Sequence, residues 1–173
     1  TVTESSVADI DINDIQVTDN TENNTITILN SNNELGIGVY EYALDDPNGP
    51  YQTEPVFENV APGMYIVYVR DQNQCGLDSV EVPVIGFPKF FTPNNDGYYD
   101  TWQVLGITSQ PNSTIYIFDR YGKVMTELKP QDLGWDGSYN GKQMPSSDYW
   151  FLVNLQDGRT VKGHFSLIRN ENP

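Results

Sequence analysis

The residues best placed for chemistry in this chain are amides and carboxylates gathered in one turn. Asn94, Asp96 and Asp100, with Gly97 at the bend, loosely match the oxygen-ligand spacing of a D-x-D-G-x-x-D calcium loop. A full loop of that kind wants another carboxylate near Thr92, and Pro93 occupies its interior. The same residues suit a hydrogen-bonded corner. Asn and Asp side chains accept from their own backbone, Gly97 supplies φ > 0, and Pro93 fixes φ and withholds a donor. The corner is the favoured reading, with Ca2+ at Asn94, Asp96 and Asp100 as the alternative. Asp136, after Trp135, carries the same ambiguity, with an Asx turn as the default.

Catalysis finds little support. His164 is the only histidine, so no His-based metal cluster can form, and a Ser-His-Asp triad would have to be built around that single residue in a predicted strand. The chain lacks the G-x-x-x-x-G-K-[ST] phosphate loop. Carboxylates are plentiful, but no spacing singles out a glycosidase-like pair. The aromatic set Phe90, Phe91, Trp102, Tyr116, Phe118, Trp135, Tyr149, Trp150 and Phe151 could form a carbohydrate platform. Core packing is the better account, because alternation turns about half of such residues inward. Exposed members would serve protein recognition, where Trp, Tyr and Arg dominate. The chain reads as non-enzymatic, with no cofactor other than the calcium alternative.

The elements that must position these residues are strands. Ile10, Ile12, Ile15 and Val17 alternate with a phase shift near Asn13-Asp14, which predicts a bulge or short break. Further strands are predicted at Thr25–Leu29, Ile37–Leu44, Tyr51–Phe57 (an edge, given Pro55), Met64–Arg70 (central) and Ser79–Ile85. Beyond Gly86-Phe87-Pro88, a short stiff joint, strands are predicted at Lys89–Thr92, Asp100–Ile107, Ser113–Phe118, Lys123–Leu128, Tyr149–Leu155 and Thr160–Ile168. Asp119–Gly122, Trp135–Gly141 and Asp157-Gly158 supply turn chemistry between them. With about seven strands in each half, the expected fold is all-β: two consecutive Ig- or fibronectin-like antiparallel β-sandwich domains, residues 1–86 and 87–173.

Charge supports that boundary. Of the 173 residues, 1–86 hold 15 Asp/Glu and one basic residue, Arg70, a net of −14, whereas 87–173 hold 9 Asp/Glu and 8 Lys/Arg, a net of −1. So acidic an amino-terminal half repels phosphates and argues against nucleic acid; a solvated extracellular surface is the simpler reading. The single cysteine, Cys75, cannot form an intrachain disulfide and is expected to be a buried thiol. No apolar run approaches 18 residues, so no direct membrane span is expected. Thr1-Val2-Thr3-Glu4 does not read as a signal peptide.

The second half resembles a known family along its length. Phe90–Trp102 (FFTPNNDGYYDTW), Ile115–Lys123 (IYIFDRYGK), Gly134–Gly137 (GWDG), Pro145–Phe151 (PSSDYWF) and Gly163–Arg169 (GHFSLIR) resemble, in order, the motifs of the type B C-terminal sorting domain. That family is also called the gliding-motility-associated C-terminal domain, of the type IX secretion system of Bacteroidota. Asn95 stands where many members have Gly, and Asn170–Pro173 runs past the usual basic end. Pro62–Cys75 (PGMYIVYVRDQNQC) more weakly resembles the end of repeats in SprB-type surface adhesins.

The resemblance implies a fragment of a secreted or cell-surface protein that crosses the periplasm and outer membrane. Its partners would be the type IX translocon with SprF- and PorP-like outer-membrane proteins. A folded signal is read as surface shape, so the recognition information is expected in turns and edges. The candidate positions are Phe91, Thr92, Pro93, Asn94, Asp96, Gly97, Asp100, Trp102, Asp119, Arg120, Gly122, Trp135, Asp136, Gly137 and Tyr149. Two rivals stand beside it: an adhesive or carbohydrate-binding module, and a structural stalk.

Overall fold

The computed structural model describes residues 6–73 and 76–169. The expectations for Cys75, the amino-terminal Thr1–Glu4 and the tail Asn170–Pro173 lie outside the described residues. The chain is all-β and divides into two compact units, Thr1–Gly86 and Phe87–Pro173.

The first unit contains strands β1 (Ile15–Thr18), β2 (Thr25–Ile28), β3 (Tyr40–Leu44), β4 (Val56–Phe57), β5 (Gly63–Asp71) and β6 (Leu77–Val84). They form two three-stranded antiparallel sheets, β1-β2-β4 and β3-β5-β6. Alternation sends Ile26 and Ile28, Tyr40 and Tyr42, Val67 and Val69, and Val82 and Val84 into one core. The phase shift near Asn13 is a 3-10 turn, Ile12–Asp14, closed by a reciprocal cap in which Asp11 accepts from Asn13 N–H and Asp14 accepts from Asp11 N–H. Arg70 pairs with Glu41, its register partner across β3 and β5, and lies 3.6 Å from the centre of the Tyr51 ring.

Two strands differ from expectation here. β3 begins at Tyr40 rather than Ile37, because the Ile37 carbonyl accepts from Ser6 N–H and its own N–H donates to Ser6 Oγ, diverting that stretch from the ladder. The predicted Tyr51–Phe57 strand contracts to Val56–Phe57. Gln52 makes an isolated bridge to Tyr42, and Pro55, without an N–H, contributes only its carbonyl, to Ile28. Six strands therefore stand among the described residues where about seven were expected.

The second unit contains β7 (Phe90–Phe91), β8 (Thr114–Phe118), β9 (Val124–Leu128), β10 (Ser138–Tyr139), β11 (Lys142–Gln143), β12 (Ser147–Asn154) and β13 (Thr160–Leu167). A five-stranded sheet runs β7-β13-β12-β8-β9, and β10-β11 is a separate hairpin. β8 is interior to the sheet, as its apolar residues on both faces predict. The pairing of β7 with β13 is parallel, so the unit is not wholly antiparallel. The predicted Asp100–Ile107 strand does not form. Trp102 and Val104 are buried as alternation requires, yet only an isolated bridge to Trp135 pairs this stretch with Trp135, and a 3-10 turn follows at Ile107–Ser109. The layer facing the sheet is thus mostly loop. Phe91, Trp102, Ile107, Ile115, Ile117, Phe151, Val153, Phe165 and Leu167 fill the space between the two layers.

Candidate recognition surface

The Thr92–Trp102 corner is built from backbone N–H groups converging on carboxylates. Asp100 Oδ1 accepts from Asn94 N–H at 3.0 Å and Asn95 N–H at 2.6 Å, while Oδ2 accepts from Gly97 N–H at 2.8 Å. Asp96 Oδ1 accepts from Tyr98 N–H, its Oδ2 from the Asn94 amide, and Asn94 Oδ1 from Asp96 N–H. These bonds hold the Asp100 carboxyl below its ordinary pKa, the Gly97 N–H contributing most, then those of Asn95, Asn94 and Asp96. Gly97 is required only by its φ of 90°, because a Cβ there would meet nothing within 4 Å. The Asp96 and Asp100 carboxylates are thus engaged by N–H groups of the corner itself, the arrangement of a hydrogen-bonded corner.

At the foot of the corner, side chains tie the loop layer to the sheet. Trp102 Nε1 donates to the Pro88 carbonyl at 2.8 Å, and its ring stacks on Phe165 with centroids 4.2 Å apart. Trp102 and Trp135 exchange both backbone hydrogen bonds at 2.9 Å. Trp135 Nε1 donates to the Ser138 carbonyl, and its ring meets Tyr149 edge-on at 4.8 Å and Phe91 at 5.7 Å.

The Trp135-Asp136-Gly137 turn follows. Asp136 Oδ1 accepts from the Ser138 hydroxyl and N–H, and the hydroxyl is the larger reason its pKa is lowered. Gly137 combines a φ of 78° with close packing, since a Cβ would lie 2.6 Å from Leu167 Cδ1 and 2.9 Å from Arg169 Nη2. Arg169 donates from Nε to the Met144 carbonyl at 2.8 Å and from Nη2 to the Gly137 carbonyl at 3.0 Å, while its N–H donates to Ser146 Oγ.

The Asp119–Gly122 turn joins β8 to β9. Asp119 Oδ1 accepts from Tyr121 N–H at 2.8 Å and Lys123 N–H at 2.9 Å, and Gly122 N–H donates to the Asp119 carbonyl. This leaves Arg120 and Tyr121 outward: Arg120 is exposed and Tyr121 is 85% exposed. Beside them lies a groove of about 530 Å³ whose floor includes Met125, Met144 and Tyr149.

Of the residues expected to carry recognition, Phe91, Trp102, Trp135, Gly137 and Tyr149 are buried and packed together or bonded through the loop layer. Asn94, Asp96, Asp100, Asp119 and Asp136 hold turns with their side chains, while Thr92 and Pro93 are half-buried at the corner's entry. Only Arg120 and Gly122 of that set lie exposed on the groove's turn. Arg169, Ser146 and Ser147 were not among the expected positions. Their signal was the Ser-Ser pair before Tyr149 and a lone Arg ending the last strand, neither specific without the carbonyls that the fold brings to them.

The outer face of the five-stranded sheet carries a further set. Val124, Phe118, Trp150 and His164 stand in one cross-strand row, and Glu127, Tyr116, Leu152 and Lys162 in the next. Trp150 is 42% exposed, and its ring centre is 6.4 Å from that of His164.

Among solved structures, a biofilm-associated protein's BSP domain is similar to the chain at 14% identity and a TM-score of 0.32, covering 92% of this chain and 30% of that one. Dimeric latent PorU from Porphyromonas gingivalis is similar at 12% identity and a TM-score of 0.31, covering 90% and 20%. Immunoglobulin domains 1–4 of Sidekick-1 are similar at 12% identity and a TM-score of 0.24, covering 88% and 45%. The chain therefore spans less than half the length of each of these proteins. No curated protein matches the chain. Residues 85–167, which hold four of the five motifs whole and the fifth as far as Leu167, match the family model CHU_C, described as a type IX secretion signal domain.

Proposed function

We propose that residues 87–173 act as a folded export signal that carries the polypeptide attached to them through the type IX secretion system to the cell surface or medium. The observation that supports this reading is the family match over residues 85–167. The finer parts of the reading are also ours. The attached protein is a gliding- or adhesin-type surface protein, residues 1–86 are a separate Ig-like adhesin-repeat domain, and the machinery's contacts to the signal are SprF- or PorP-like outer-membrane proteins. A non-enzymatic role agrees with a sorting signal on an all-β fold.

The test is an export assay in a gliding bacterium with and without an intact translocon. Residues 87–173, and separately 1–173, are fused behind a signal peptide and a fluorescent reporter. Reporter on the surface or in the medium only when the translocon is intact is the expected outcome for both. Reporter retained in the periplasm of both strains would sink the reading.

A second reading, direct glycan binding, is favoured by one observation: the partly exposed rings of Trp150 and Phe118 lie side by side on an open sheet face. It predicts saturable binding on a glycan array that Trp150→Ala abolishes.

A further inference from the structure

We propose that the Arg120-Tyr121 turn and the groove beside it receive an extended acidic segment of the export machinery. The proposal rests on the export reading, with this groove as the surface that the machinery reads.

The three turns differ in the charges they leave available. In the Thr92–Asp100 corner every carboxylate is engaged by the corner's own N–H groups. At Trp135–Gly137 the nearby cation, Arg169, is engaged by the Gly137 and Met144 carbonyls. The groove is different. Arg120 uses only Nη2, toward Ser147 Oγ at 3.0 Å, and leaves the rest of its donor fork open among the described residues. The Lys123 ammonium sits 4.4 Å from the Tyr139 ring centre and makes no hydrogen bond among the described residues.

The two carboxylates lining the same groove each have one oxygen engaged internally. Asp119 Oδ1 accepts from two backbone N–H groups, and Asp148 Oδ1 accepts from Ser166 Oγ at 2.6 Å. Asp119 and Asp148 balance the two cations in charge, but the open hydrogen-bonding groups are mostly donors, those of the Arg120 fork and the Lys123 ammonium, in a unit whose net charge is −1. Tyr121, 85% exposed at the rim, and the Met125–Met144 floor add an aromatic anchor and adaptable apolar surface. Carboxylate recognition by a guanidinium fork, steered by an ammonium close by, selects an acidic chain.

The experiment pairs export with binding, using residues 1–173. Arg120→Glu/Lys123→Glu removes both cations from the groove and adds two carboxylates, and Lys162→Glu, on the outer sheet face, is the control. Thermal melts check folding. The expected result is at least a tenfold loss of export for the double variant, with its midpoint within about 2 °C of wild type and Lys162→Glu exported normally. A hexaglutamate peptide should shift the NMR signals of Arg120–Met125 in wild type but not in the double variant, and hexalysine should shift neither.

Wild-type export with undiminished export of the double variant overturns the proposal. So does equal loss in Lys162→Glu, or a wild-type dimer that the double variant dissolves, which would make a second copy the occupant. If the wild type itself is not exported, the export reading fails and the peptide decides the groove alone. Shifts confined to wild type support it, and their absence overturns it.

Discussion

The two units close their cores by different means. Residues 6–86 use two three-stranded ladders, so both layers are held by backbone pairing. Residues 87–169 use one five-stranded sheet and cover it with loops held by side chains, chiefly Trp102, Trp135 and Arg169. A ladder repeats the same bond along its length and carries little information on its surface. A loop layer pinned by indoles and a guanidinium can place each turn individually, which suits the folded export signal proposed above. Its cost is dependence on a few residues, and that dependence is where the contrast can be broken.

The largest effect is expected at Trp102, wholly buried between the layers. Trp102→Ala should destabilise the second unit by about 4 kcal/mol through lost burial and the cavity left behind. Trp102→Phe, which keeps a ring but loses the bond to Pro88, should cost about 1 kcal/mol from that bond, plus any packing mismatch. Urea unfolding followed by tryptophan fluorescence measures both. A loss below about 1.5 kcal/mol for Trp102→Ala, well under the usual cavity range, would mean that the loop layer merely drapes the sheet.

The next test separates two glycines with similar backbones and different surroundings. Gly137→Ala must hold φ near 78° and also push a methyl into Leu167 and Arg169, so a cost of about 3 kcal/mol is expected. Gly97→Ala meets only the φ penalty, about 1 kcal/mol, because its Cβ would face open space. Equal costs measured by denaturant unfolding would contradict the claim that Gly137 is a packing position and Gly97 a conformational one.

These contrasts also show what was readable in the chain. Alternation identified β6 and β8, and β-branched, aromatic or apolar runs bounded by turn signals identified β2, β5, β9, β12 and β13, because both are local properties. Alternation failed at Asp100–Ile107, where Trp102 and Val104 alternate but lack a neighbouring ladder. It could not show that Phe90-Phe91 runs parallel to β13, since that pairing joins residues more than seventy positions apart. The Asx turns were legible from Asn94, Asp96, Asp119 and Asp136, whose side chains act on their own backbone. Arg169 was not, because its acceptors are carbonyls delivered by the tertiary fold. Nor could alternation say which aromatic face was inward: Tyr149 and Phe151 are core, while Trp150 between them is half-open.

The smallest expected effect lies in the corner itself. Asp100 and Asp136 both have pKa values lowered by folding, Asp100 first by Gly97 N–H and Asp136 first by the Ser138 hydroxyl. A carboxylate depressed in the folded state stabilises above its unfolded pKa, near 4. That contribution is lost as pH falls through the lower folded value. Stability of the second unit should therefore be flat from about pH 7 to pH 5 as far as these groups are concerned, and decline below about pH 4. Asp100→Asn should blunt the decline, since its amide has no charge to lose. Millimolar Ca2+ should leave the melting midpoint and the acid limb unchanged, because the oxygens a cation would need already accept N–H groups. A calcium-dependent rise in midpoint that Asp100→Asn removes would instead make the corner an ion site, and the contrast with the self-contained ladders of residues 6–86 would then rest on a metal rather than on side-chain bonding.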